Sequence, residues 1–214
     1  MRTITKTITK NVYEYDELNA KAQERVREWY LAQCRTPELF SEMLAEDLEM
    51  IFGKNDLDVE YSLSNSQGDG LNIYGSILLT KIVDVADECV WLTYFDAFRK
   101  CFTADEKELI KRYAEYYDTV NIPSNASNLY NYYYADHIDY IGDYMSNVGE
   151  DADADLLNRV NAALISLFSE ICASYEEWGY DYFYDVDDDT LSEECEANGW
   201  EFTEDGEPHL PYLV

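Results

Sequence analysis

The sequence has few residues whose types and spacing could support catalysis. His137 and His209 are the only histidines, and neither stands in an HxxH or HExxH spacing that would seat a zinc ion. Asp136 beside His137 has the residue types of an acid–base element, but no nucleophile signature surrounds it. Cys34, Cys89, Cys101, Cys172 and Cys195 form no CxxC pair, and their number is odd. They read as mostly buried free thiols of a reducing cytosol, not a disulfide frame or a zinc site. The 45 Asp and Glu residues guarantee many carboxylate pairs, so no single pair argues for hydrolase chemistry. Asp185, Asp187, Asp189 and Glu196 fall at the ligand spacing of an EF-hand loop. Thr190, however, stands where that loop needs Gly, and 179–184 before it reads as a strand, not an entering helix. The run Asp151, Asp153, Asp155 lacks both the Gly and the bidentate Glu. These acids are expected at helix N-termini, where the dipole favours negative charge, and on a solvated face. The expectation is a protein that is not an enzyme and carries no cofactor or metal.

Charge is the informative feature. Against 45 acids stand 15 Lys and Arg, a net of −30. Up to Arg112 there are 14 basic and 21 acidic residues; from Tyr113 onward there are 24 acidic residues and one basic, Arg159. A like-charge pair about 8 Å apart costs on the order of 2 kcal/mol at an effective dielectric of about 20, before salt screening. Solubility alone needs a net charge of only about 2 to 8 in magnitude. The excess points to a positively charged partner, and it argues against direct binding to nucleic acid or an anionic membrane. A halophilic host is the plain alternative, but such proteins spread their charge evenly and use fewer large aromatics. Hydrophobic residues make up 47% and aromatics 15%, with 20 Tyr, which is enough to bury a core and excludes a disordered acidic tail. No run reaches the roughly 18 apolar residues of a membrane span, and residues 1–6 show no signal-peptide core.

Nine of the tyrosines lie in 113–144, interleaved with Glu115, Asp118, Asp136, Asp139 and Asp143. Tyr offers large contact area at low entropy cost, and partner Lys or Arg can pair with the acids and stack on the rings. The candidate partner-binding face is therefore Glu115, Asp118, Tyr132, Tyr133, Tyr134, Asp136, Asp139, Asp143, Asp151, Asp153 and Asp155.

The elements that must carry these residues follow from periodicity. Alternation predicts an opening strand over 4–15. A helix capped by Asp16 or Asn19 runs to about Arg35, with Leu18, Ala22, Val26, Trp29 and Tyr30 inside. Thr36-Pro37 starts a second helix that Gly53 ends. Residues 57–64 and 71–78 form a β-hairpin around the turn-rich 65–70. Helices are predicted over 82–102 and 104–120, the second with a Thr103/Glu106 capping box. Residues 123–128 are a loop, and 130–145 reads as helix by its composition, with a strand left open. A helix runs from Asp151 or Asp153 to Trp178 and stops at Gly179. A short helix follows, starting at one of Asp187, Asp188 or Asp189 and stopped by Asn198-Gly199. A last strand over 200–203 turns at Asp205-Gly206. The fold class expected is α+β, majority helical on a small antiparallel sheet containing a hairpin. It forms one domain over 1–214 with a helical, acidic, Tyr-rich sub-region at 104–179.

Three stretches carry a resemblance. Val12 to Leu18 with Ala20, Ala22, Val26, Arg27, Trp29 and Tyr30 resembles the YEFDELSEEAKERA…WY opening of small phage and prophage proteins. Tyr61 to Gly70 resembles their SLSYSQGDG hairpin, and Asn198 to Gly206 their NEYEFTEDG strand. Some of these proteins carry an antitoxin-like description, and related phage proteins inhibit CRISPR nucleases. The resemblance implies an anti-CRISPR-type inhibitor in the bacterial host cytoplasm. Its partner would be a basic nucleic-acid-binding protein, a CRISPR nuclease such as Cas9, blocked by a DNA-mimicking acidic surface. The alternative is an antitoxin-like protein that neutralises a basic toxin.

Overall fold

The computed structural model describes residues 9–66, 69–115, 118–124 and 153–209. In chain order the elements are α1 (Ala20–Gln33), α2 (Pro37–Phe52), β1 (Asp56–Ser62), β2 (Gly70–Leu78), α3 (Leu79–Glu88), α4 (Asp96–Cys101), α5 (Ala104–Ala114), β3 (Thr119–Ile122), α6 (Ala154–Tyr184) and α7 (Asp188–Asn198). Single 3-10 turns occupy Tyr15–Glu17 and Thr93–Phe95. The protein is α+β, mostly helical, with one three-stranded antiparallel sheet. It divides into two compact units, one of 1–37 with 180–214 and one of 38–179.

In the larger unit β2 is the central strand, with β1 and β3 antiparallel on either side. The β1–β2 hairpin is the one the alternation predicts. Its loop is built on one carboxylate: Asp69 accepts from the backbone N–H of Ser64 (2.7 Å) and Ser66 (2.8 Å) and from the hydroxyls of Ser62, Ser64 and Ser66 (3.2, 2.9 and 3.0 Å). The every-other-residue serines therefore serve the turn. Asn72, fully buried on β2, donates to Glu60 Oε1 (2.8 Å) and to the Pro123 carbonyl (3.3 Å), joining strand neighbours on both sides.

The core of this unit comes from one face of each helix. Phe52 of α2 lies 6.0 Å from Phe95 and 6.1 Å from Phe168 of α6, ring centre to ring centre. Phe40 meets Tyr61 and Trp178 edge-on, each at 5.4 Å. On α6, Leu156, Leu157, Val160, Leu164, Leu167, Phe168 and Ile171 are at most 1% exposed. By length and composition α6 could cross a membrane, but half of that stretch is buried within the fold.

The structure revises four expectations. The predicted 82–102 helix is broken: α3 ends at Glu88, and the chain turns through Val90 and Trp91 before α4. The predicted 104–120 helix ends at Ala114, and Val120 and Ile122 turn inward on β3 to pair with β2. Gly179 does not end its helix, which continues to Tyr184, so 180–184 is helix and not strand. A Cβ at Gly179 would sit 2.2 Å from Leu63 Cδ1 and 3.1 Å from Phe40 Cζ, so glycine serves close packing there and not a stop. The strands expected at 4–15 and 200–203 reduce, within the described residues, to single bridges of Phe202 with Tyr13 and Pro208. The predicted 123–128 loop continues beyond Ser124 outside the described residues, as do the 130–145 segment and the start of the opening strand.

The smaller unit closes on those bridges. Tyr13 and Phe202 exchange backbone hydrogen bonds of 2.8 and 2.9 Å. Val26 and Tyr30 of α1, Leu191 and Cys195 of α7, Val186 and Phe202 form its core, with Trp29 edge-on to Trp200 at 5.1 Å. Asn19 caps α1 and Asp187 caps α7. Gly199, at φ +62, takes the left-handed position that ends α7, as Asn198-Gly199 predicts. All five cysteines are free, with Cys172 and Cys195 buried, Cys34 and Cys89 half-buried and Cys101 exposed.

Candidate functional site: the acidic surface

The described members of the predicted face are Glu115, Asp118, Asp153 and Asp155. Tyr132, Tyr133, Tyr134, Asp136, Asp139, Asp143 and Asp151 lie outside the described residues. Glu115 is exposed at the end of α5. Asp118 has a structural task. Its carboxylate accepts from the Thr80 N–H (2.8 Å) and hydroxyl (2.7 Å), and its carbonyl accepts from the Leu79 N–H (2.6 Å). It therefore caps α3 from across the fold. Asp153 caps α6, accepting from the N–H groups of Asp155 and Leu156 (3.1 Å each). Asp155 lies 3.5 Å from Arg159, which also binds Glu106. That contact and the Thr103 cap hold the Glu106 carboxyl down at about 2. Arg159, the one cation of the second half, is thus occupied within the fold.

The structure gathers a second set of acids that the sequence reading left off the face. From Asp181 to Glu207 there are twelve Asp and Glu and no Lys or Arg. All but Glu194 are exposed. Among the described residues only two of them make ion pairs: Asp188 with Arg27, and Asp205 with Arg25 at 3.9 Å. Arg25 and Arg27 of α1, and Arg35 just beyond its end, are used as internal staples. Arg27 also donates to the Val186 carbonyl, and Arg35 lies between the rings of Tyr30 (5.1 Å) and Tyr182 (4.7 Å). Asp187 is spent on its cap: the N–H and hydroxyl of Thr190 (2.8 and 2.7 Å) hold its carboxyl below the usual range.

Glu14 and Asp16 join this set from the other end of the chain. With Glu196 and Glu201 they line a cleft of about 190 Å³ that has Trp200 in its wall. Ser192 donates to Asp16 at 2.8 Å, which ties the rim together. Cys195 reaches the cleft, but burial, with Cys34, Asp16 and Glu194 around it, pushes its thiol up to about 11. It is therefore a protonated thiol at neutral pH and a poor nucleophile. Burial and a 3.2 Å hydrogen bond to Asp188 push Tyr15 up to about 12. Chemically, the arrangement presents carboxylate acceptors and an indole beside a protonated thiol.

The EF-hand comparison meets a different obstacle from the one expected. A helix does precede the acids, but only three residues separate α6 from α7, and Asp189 and Glu196 lie on α7 itself. Among the described residues no group of three or more His, Cys, Asp or Glu could hold a metal ion.

The signal that could have found this surface was the uninterrupted absence of Lys and Arg after Arg159. The link from Glu14 and Asp16 to Glu196 and Glu201 was not legible, because it depends on the Tyr13–Phe202 pairing. No protein-family model, curated protein or solved structure matches the chain.

Proposed function

We propose that this chain is a phage-encoded inhibitor of the anti-CRISPR type, acting by binding and not by catalysis. Its acidic surface stands in for nucleic acid in the cationic channel of a host defence nuclease, Cas9 first among them, in the bacterial cytoplasm. The observation that carries the reading is the Asp181–Glu207 stretch: twelve acids, eleven exposed, two ion-paired. On α7, Asp189, Glu193, Glu194 and Glu196 place four charges in eight residues, about one per 3 Å of axis at ~1.5 Å per residue. B-DNA carries about one per 1.7 Å, so a single helix here reaches more than half of its linear charge density. The match needed is approximate, since such a channel reads backbone charge and shape.

The test is competition. Guide-loaded Cas9 should bind the protein in place of target DNA, with an affinity that falls more than about tenfold between 50 and 200 mM salt. Binding that leaves DNA affinity untouched, or that ignores salt, would refute the mimicry.

A further inference from the structure

Between α3 and the Thr93–Phe95 turn, Cys89–Leu92 forms a β-turn closed by the Leu92 N–H on the Cys89 carbonyl at 3.0 Å. Its two central positions hold Val90 and Trp91, 70% and 68% exposed. Gly, Pro, Asn, Asp and Ser normally fill such positions, and a β-branched residue followed by an indole has no local reason to be there. The turn is held from beneath. The guanidinium of Arg99 donates to the carbonyls of Ala86 (3.3 Å), Cys89 (3.3 Å), Val90 (3.4 Å) and Leu92 (2.8 Å), and to Asp96 at 2.5 Å. Leu92 and Phe95 are buried directly after it. The apolar tip is therefore ordered before any partner arrives, which lowers the entropy cost of using it.

We infer that Val90 and Trp91 form an apolar anchor that enters a pocket rimmed by Lys and Arg on a basic protein. This rests on the preceding reading, that the partner is cationic. A second copy of the chain would bring another net charge of −30 to the contact, and an anionic bilayer would repel the protein in the same way. A cationic protein is the occupant for which long-range attraction and the anchor act together. Charge sets the rate of encounter, and a Trp seated in a desolvated pocket sets residence time. Glu88 is exposed beside the turn, and Lys100 is exposed on the α4 that follows it.

The experiment uses the full chain and purified guide-loaded Cas9, with binding rates measured at several salt concentrations. Trp91→Ala should weaken binding about 30-fold through faster dissociation, leaving the association rate and salt slope unchanged. Glu196→Gln with Glu201→Gln should do the reverse, slowing association and flattening the slope. Circular dichroism confirms that each variant folds. If the wild type binds and Trp91→Ala stays within twofold of it, the anchor is refuted and the inhibitor reading stands. If the wild type does not bind, Cas9 is lost as the target, and a photo-crosslinker at exposed position 88, beside the intact Val90 and Trp91, decides the anchor in host cells. Cross-links to an apolar residue flanked by Lys or Arg on a basic protein, whose purified form loses affinity for Trp91→Ala, support it. Cross-links to a second copy, to lipid or to nothing overturn it.

Discussion

Glu193→Lys should make the protein more stable and a worse inhibitor at once. Glu193 is exposed on α7, with Asp189 four residues before it and Glu196 three residues after it. Like-charge pairs at these spacings each cost about 0.2–0.5 kcal/mol at low salt, and opposite charges gain about as much. Reversing one residue converts two repulsions into two attractions, a swing of about 1 to 2 kcal/mol. Asp189 lies N-terminal to the introduced lysine, which is also the favourable order for such a pair. Urea unfolding followed by far-ultraviolet circular dichroism at low salt should show the gain. At 1 M salt the Debye length is about 3 Å and most of it should vanish. The same substitution removes a carboxylate from the proposed contact surface and should slow association with Cas9. A variant that is less stable at low salt, or equally stabilised at 1 M salt, would refute the account of α7 as self-repelling. A variant that binds as well as wild type would remove Glu193 from the contact face. Stability given up for a charged array is the trade expected when binding, not folding, has set the residues.

Two further outcomes follow from the packing and the titrating groups. Gly206→Ala should destabilise the smaller unit by more than about 2 kcal/mol, read as early loss of Trp29 and Trp200 fluorescence. Gly206 has φ +84, and a Cβ there would lie 2.3 Å from the Ala22 carbonyl oxygen, an atom of the helix backbone that cannot swing away. Tyr15 and Tyr94 are pushed up to about 12 by burial, against about 10 when unfolded. Above pH 10 the folded state holds more protons than the unfolded state. Their contribution is therefore full below pH 10 and is lost as pH rises toward 12. Melting temperature should fall steeply across that window and fall less in Tyr15→Phe; a flat profile from pH 10 to 12 would contradict the burial.

What the sequence made legible was local. Thr103 with Glu106 and Asn198-Gly199 mark helix ends through preferences that act within a few residues, and the structure uses them as read; of Asp16 or Asn19 it selects Asn19, and of Asp187, Asp188 or Asp189 it selects Asp187. The hairpin followed from strict alternation. The misread places are those where a distant contact decides. Gly179 looks like a stop until Leu63 and Phe40 are seen against it. Val120 ends a plausible helix until β2 offers an edge to pair with. The hydrogen bonds that Asp118 accepts from the first N–H groups of α3 are likewise a distant contact with no local signal. The acidic surface was legible as composition, but its membership was not, since Glu14 and Asp16 reach it only through long-range closure.

That closure has a consequence for biosynthesis. Tyr13 and Phe202 are about 190 residues apart, so at roughly 5–20 residues per second the ribosome takes about 10 to 40 s to deliver the second after the first. During that wait the apolar stripe of α1, with Val26, Trp29 and Tyr30, has no lid, while residues 38–179 can already assemble their own core. The nascent chain thus exposes the apolar stripe of α1 to chaperones and proteases until Val186 to Phe202 emerge. A stop codon before Val186 would remove Val186, Leu191, Cys195 and Phe202 together and leave that stripe uncovered for good.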